Sequence, residues 1–346
     1  MRNKKPIALA AAALALLLAV PVGCGQKEPE TAEPAFEEIY TGSVSLGAEE
    51  MDIADEAVAL SGLPALDLSL TPTPSGALTK KNSKATIDYS NTSDGYVMVN
   101  FTASTKTRIK VLVMGPNTNT ADTRYQYDLP VQEWVTFPLS DGNGSYTVKV
   151  MEQNASTGKY AAVVDASFKV SMTDEFAPFI RPNQYVNYSD EVSPNTIAKA
   201  QELAGSLTDP LEKVRAVYEF VVNNLTYDTA KADKAAKGQL TGYLPVLDDV
   251  LAAKKGICFD YAALMAGMLR SQGVPCKLIT GYVDTGAYHA WISVWTEEQG
   301  WVDGAIYFDG TTWHRMDPTF ASNGKGVASI TRYIGDGSNY KVKNSY

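Results

Sequence analysis

Cysteine is scarce in this 346-residue chain, with three residues, and histidine is scarcer, with two. Three cysteines exclude a disulfide-built scaffold. A zinc site of the common kinds needs three or four His, Cys or carboxylate ligands at close spacing. No such cluster stands in the sequence, so neither a metal nor a cofactor is expected. Basic charge is also short: 30 Lys and Arg against 39 Asp and Glu give a formal charge of −9. That balance leaves no basic face to neutralise phosphates, which excludes non-specific nucleic-acid binding as the main activity. The one extended apolar run, Ile7 to Val22, falls short of the roughly 20 residues that a bilayer span needs. What is present is ordinary globular composition, 45% hydrophobic and 20% charged, at a length that accommodates two domains.

Arg2, Lys4 and Lys5 precede the apolar run, which is the layout of a secretory signal peptide. The run ends at Val20-Pro21-Val22-Gly23-Cys24, and a polar, acidic stretch follows. A small residue before a cysteine at this place resembles a bacterial lipobox, although Pro21 departs from the usual aliphatic residue. The resemblance implies cleavage before Cys24 and lipid attachment to its thiol. Residues 1–23 would then be a signal peptide and the mature protein a lipoprotein on the outer face of a bacterial cell membrane, touching the membrane through its lipid alone. A plain signal peptide cut elsewhere is the alternative. Residues 24–84 read as a disordered acidic, Pro- and Thr-rich spacer, with Glu28, Glu30, Glu33, Glu37 and Glu38 and then Thr71-Pro72-Thr73-Pro74.

Residues 85–175 carry a period of two. Val97, Val99 and Phe101 alternate with polar neighbours, as do Ile109, Val111 and Val113, and Tyr146, Val148 and Val150. Turn residues at Asn91–Gly95, Gly115–Asn117 and Asp141–Gly144 divide the runs. About seven short strands predict an all-β, immunoglobulin-like sandwich. Residues 176–346 have another texture. Asp209-Pro210-Leu211-Glu212 opens a helix, with Asp209 placed to accept from the N3 amide and Glu212 at N3. A loop rich in Lys and Ala is expected after Leu225, then a short helix over Leu247–Lys254. A further helix from Cys258 is expected to bury one face and to stop at Gly273 and Pro275. Strands over Lys277–Val283, Tyr288–Thr296, Ala305–Phe308 and Thr312–Met316 complete an α+β domain.

Three side chains in that domain carry potential chemistry. Cys258 lies in the first turn of its helix, where unpaired N–H groups and positive potential favour a thiolate. Taken alone, a buried structural thiol is the alternative. His289 opens a strand, and an imidazole beside a thiolate can hold the displaced proton and return it to a leaving group. Taken alone it is equally a solvated residue. Asp317, before Pro318, can accept from an imidazole Nδ1–H and fix its tautomer, or simply make an Asx-turn.

The surrounding segments are more specific than the residues. Lys255-Gly256-Ile257-Cys258-Phe259-Asp260-Tyr261, Met268-Leu269-Arg270-Ser271-Gln272-Gly273-Val274-Pro275, Gly281-Tyr282-Val283, His289-Ala290-Trp291 and Asp317-Pro318-Thr319 together resemble the transglutaminase-like superfamily, the papain-related branch of cysteine enzymes. The resemblance spans about Ser193–Ala321. It implies a papain/transglutaminase-like fold, with Cys258 as nucleophile, His289 as general base and acid, and Asp317 as the orienting carboxylate. It implies a thioester intermediate on amide bonds of peptide or protein substrates, cell-wall peptides among them. Hydrolysis is the expected outcome. An amine-accepting transglutaminase and an inactive surface-binding module are the alternatives. The papain-type Gln six residues before the nucleophile is absent, since Ala252 stands there. Besides the Cys258 amide, Tyr227 is the candidate second oxyanion donor, with a core aromatic as its other reading. A Cys258–Cys276 disulfide is not expected, because the intervening helix runs roughly 20 Å before the chain turns.

Overall fold

The computed structural model describes residues 70–283, 286–297, 300–302, 306–308, 313–315 and 340–346. The first part is two four-stranded antiparallel sheets. One has the order β1 (Thr79–Lys81), β2 (Ala85–Asp88), β3 (Tyr96–Phe101), β6 (Trp134–Pro138); the other runs β5 (Tyr125–Asp128), β4 (Ile109–Met114), β7 (Gly144–Gln153), β8 (Tyr160–Val170). The alternating residues form the interior: Val97, Val99, Phe101, Val111, Val148 and Val150 are all fully buried. Strand β1 begins ahead of the Ala85 boundary read from sequence. Lys81 pairs with Thr86 across a turn in which the Asn82 side chain accepts from the Lys84 and Ala85 amides. Its Thr-Lys-Lys composition reads as spacer because β1 is an edge strand, where exposed lysines are common.

The second part mixes helices and strands. It comprises α1 (Pro194–Ala204), α2 (Pro210–Asn224), β9 (Thr226–Tyr227), α3 (Thr229–Ala236), α4 (Leu247–Ala253), β10 (Lys255–Gly256), α5 (Cys258–Ser271), β11 (Cys276–Val283), β12 (Tyr288–Thr296), β13 (Gly300–Val302), β14 (Ile306–Phe308), β15 (Trp313–Arg315) and β16 (Tyr340–Ser345). The main sheet has the antiparallel order β13-β12-β11-β16. β14 and β15 form a hairpin in which Tyr307 pairs with His314.

Three local expectations change. Helix α5 does not bury a single face. Every residue from Tyr261 to Arg270 is buried, because α1, α2 and α4 pack around it together with β11 and β12. A helix enclosed on all sides has no polar stripe. The Lys- and Ala-rich stretch expected as a loop contains α3. Asp228 caps it by accepting from the Lys231 amide at 2.9 Å, and Ala and Lys are strong helix formers. At α2, Asp209 accepts from the N2 amide of Leu211 at 2.8 Å rather than from N3, and Glu212 pairs with Arg215 instead.

Aromatic rings join the two parts. Tyr125 and Tyr127 of β5 meet Tyr346 edge-on at 5.7 and 5.9 Å, and Tyr346 stacks on Tyr185 at 3.9 Å. Polar bonds accompany them: Gln184 donates to the Asp128 carbonyl, and the Ser345 amide donates to the Tyr125 hydroxyl. Arg270, fully buried at the end of α5, donates to the main-chain oxygens of Cys276, Arg181 and Tyr346 at 2.7–2.8 Å.

Candidate active site

Cys258 is the first residue of α5 and is 2% exposed. The carboxylate two residues on fixes this helix start. Asp260, fully buried, turns back so that its Oδ2 accepts from the Ile257 amide at 2.7 Å and from Lys231 Nζ at 2.7 Å. Its Oδ1 accepts from the Tyr243 hydroxyl at 2.5 Å. Lys231 also donates to that hydroxyl and sits 4.0 Å from the Tyr243 ring centroid. Burial and the neighbouring Asp260 push the Tyr243 phenol well up, so it remains a donor. The backward turn of Asp260 requires glycine at 256, where a Cβ would stand 2.5 Å from the Asp260 Cβ. The strand pair β9–β10 holds the approach: Tyr227 registers with Gly256, and the Asp228 amide donates to the Gly256 carbonyl at 2.8 Å.

His289 is the second residue of β12, fully buried, and paired with Gly281 of β11. Gly281 cannot carry a side chain, because a Cβ there would lie 2.1 Å from the Lys341 carbonyl of β16. The His289 ring lies 6.2 Å from that of Trp291 and 6.3 Å from that of Tyr340.

Cys258 and His289 line the same cavity, of about 340 Å³. Its other walls include Phe259, Thr280, Tyr288 and Tyr346 and, from the two-sheet region, Tyr127 and Asp128. A cysteine at a helix N-terminus and a histidine lining one cavity are residue types that can support nucleophilic attack with proton transfer. Cys276 is a free, buried thiol. Burial pushes the Cys276 thiol up to about 12.

The other expected site residues are placed differently. Asp317 and Cys24 lie outside the described residues. Tyr227 is half-buried beside the helix start and is not among the residues lining the cavity. Among the described residues, no group of three or more His, Cys, Asp or Glu could hold a metal. Trp295 packs on Phe176 and donates to Glu175, and Trp301 packs on Phe179; neither lines the cavity. Sequence reasoning missed Asp260, Lys231 and Tyr243. An acidic residue in a first helical turn is a start signal, but Ile257 at the N-cap conceals the usual polar pair. It also missed the contribution of β5, for which no sequence signal exists.

Residues 197–318 match the family model of the transglutaminase-like superfamily. Among curated proteins, the chain is 32% identical over 113 residues to human kyphoscoliosis peptidase, covering 32% of this chain and 16% of that protein. It is 34% identical over 79 residues to protein-glutamine gamma-glutamyltransferase of Pseudomonas aeruginosa, covering 19% of this chain and 12% of that protein. The match thus spans less than a fifth of either relative. Among solved structures, the periplasmic domain of TgpA from Pseudomonas aeruginosa, bound to ethylmercury, covers 72% of this chain and 77% of its own, at 17% identity and a TM-score of 0.30.

Proposed function

We propose that this protein is a thiol enzyme that acts on amide bonds of peptides or proteins, with Cys258 as nucleophile and His289 as general base and acid. The supporting observation is that both side chains line one cavity, with the sulfur at the start of α5. Reduced Cys258 gives its proton to His289, and the sulfur attacks the amide carbonyl carbon. The tetrahedral intermediate collapses as the C–N bond breaks, and the imidazolium returns the proton to the departing amine. A thioester remains. Water, deprotonated by the imidazole, then attacks the thioester and releases a carboxylic acid and the thiol. Asp317 orients the imidazole in this scheme. The Cys258 amide and the Tyr227 hydroxyl are the proposed oxyanion donors.

Hydrolysis is the favoured outcome because water is the default acceptor, and the human relative is named a peptidase. The Pseudomonas relative is named for glutamyl transfer, which supports the second reading, an amine acceptor. We further read the two-sheet region as an immunoglobulin-like sandwich, and Cys24 as the lipid attachment point of a surface-anchored protein meeting cell-wall or host peptides.

The test is to incubate the reduced protein with a peptide library, with and without a primary amine, and to read products by mass spectrometry. Hydrolysed peptides are expected in both arms, and Cys258→Ala is expected to abolish them while leaving the fold intact. Amine adducts alone would move the assignment to transamidation. Undiminished turnover in Cys258→Ala would place the nucleophile elsewhere.

A further inference from the structure

The anchor of the helix that begins with Cys258 is charged, and its sign is unfavourable to a thiolate. Asp260 is fully buried and stands two residues after Cys258. Its Oδ2 accepts from the Ile257 amide at 2.7 Å, so the carboxylate sits at the N-terminal end of α5. A negative charge there offsets the positive end of the helix dipole, which otherwise favours a thiolate. A unit charge about 6 Å away, at an effective dielectric constant of about 20, moves a thiol by about two pH units. Left alone, Asp260 would therefore oppose ionisation of Cys258.

Lys231 removes that conflict. From α3, its ammonium donates to the same Oδ2 at 2.7 Å and to the Tyr243 hydroxyl at 2.6 Å. The Lys231 side chain keeps 23% exposure, whereas that of Asp260 has none. Stability alone gives little reason for this pair. Desolvation of buried charges offsets their attraction, and in capping boxes a neutral amide serves at N3 as a carboxylate does. Other titratable groups surround this end of α5 and stay in place in the variants below. Asp228 pairs with Lys255 of β10 at 3.3 Å, and Asp249 of α4 acts on Tyr243. Lys110 of β4, Asp128 of β5, and Tyr288 and His289 of β12 line the cavity with Cys258. Burial keeps Tyr127, Tyr185 and Tyr346 neutral.

We propose that Lys231 is a positioning residue for Cys258: its ammonium balances the buried Asp260 carboxylate, so that the carboxylate fixes the start of α5 without opposing a thiolate there. This rests on the reading of Cys258 as nucleophile, and the test separates the two. Lys231→Gln, which keeps a donor but no charge, Lys231→Arg, which keeps the charge, Asp260→Asn and the Lys231→Gln/Asp260→Asn double variant are made in the reduced full-length chain. Each is made with and without Cys258→Ala. The ultraviolet thiolate absorbance of each protein, less that of its Cys258→Ala counterpart, gives the ionisation midpoint of Cys258 with no turnover needed. Circular dichroism checks folding.

The expected result is a pair of opposite shifts. Lys231→Gln leaves the carboxylate, with its Ile257 and Tyr243 donors, and raises the midpoint by about one to two pH units. Asp260→Asn leaves the ammonium and lowers the midpoint by a similar amount. The double variant and Lys231→Arg stay close to the unsubstituted protein. Where peptides are cleaved, the acid limb of kcat/KM follows the midpoint in Lys231→Gln. Loss of packing alone would move Lys231→Gln and Asp260→Asn the same way, and that result would overturn the proposal, as would an unmoved midpoint in Lys231→Gln. If Asp260→Asn does not fold, the contrast between Lys231→Gln and Lys231→Arg decides: equal midpoints would overturn the proposal. The expected shifts in a protein that cleaves no peptide would sustain it while removing the hydrolytic assignment.

Discussion

The two cysteines of the α/β region differ in environment although both are buried. Cys258 begins a helix, whereas Cys276 begins β11, where burial holds its thiol up to about 12 against the opposing charge of Arg270. An ordinary thiol titrates near about 8.5. For Cys276 the folded value therefore lies above the unfolded one. Its contribution to stability is complete below about pH 8.5 and is lost as pH rises toward about 12, because the unfolded chain ionises first. At pH about 7, iodoacetamide is expected to label Cys258 of the reduced, folded protein and to spare Cys276 until denaturant is added, as read by peptide mass spectrometry. Equal labelling of both sites would remove the case for an activated sulfur. Much of this contrast was legible in sequence: Cys258 follows Gly256 at a helix start, and Cys276 follows a helix stop. The missing part was Asp260, whose carboxylate ties the helix start to Lys231 and Tyr243, residues far from it in the chain.

Elements set where the sulfur points. The backward-turned Asp260 needs Gly256, the parallel pair β9–β10 needs the short extended segments on either side, and α3 supplies Lys231. Gly256→Ala puts a methyl group against Asp260 and is expected to cost about 1–3 kcal/mol by overpacking. Chemical denaturation measures that loss. If Cys258 is the nucleophile proposed above, turnover is expected to fall through kcat rather than KM, because Cys258 moves while the cavity walls on β5 and β11 stay. A KM effect alone would contradict this division. Strands with period-two alternation, such as β3, β4 and β7, were readable because each buries one set of side chains. α3 was not, because its Lys and Ala composition carries no apolar stripe; what makes it a helix is propensity and an Asp228 cap. Nor was the full burial of α5, since a helix enclosed by five neighbours is specified by those neighbours and not by its own periodicity.

At the scale of the molecule, Arg270 ties remote segments together. Burial lowers its guanidinium to about 10, still charged at neutral pH, and its bonds reach Arg181 ahead of the helices, Cys276 at the start of β11 and Tyr346. Arg270→Met keeps a long apolar stem but takes a charged donor away from three main-chain oxygens, of which that of Tyr346 keeps its bond from the Leu278 amide. It is expected to cost about 3–5 kcal/mol and to loosen the contact between β5 and Tyr346. Hydrogen exchange at Ser345, whose amide donates to Tyr125, would report that loosening; unchanged exchange there would show that the aromatic cluster alone holds the two regions. No pattern in the sequence joins these places, because the contacts depend on tertiary closure of segments far apart in the chain.

The order of the main sheet has a consequence for synthesis. β16 lies against β11 and brings the residue after it, Tyr346, into the cavity wall. A ribosome that has released Cys258 and His289 still holds back the strand that seals them. Cys258 and His289 therefore stand beside an unfinished wall until residues 340–346 have been made. The two-sheet region, made before them and folding as a unit, is the surface on which residues 340–346 dock.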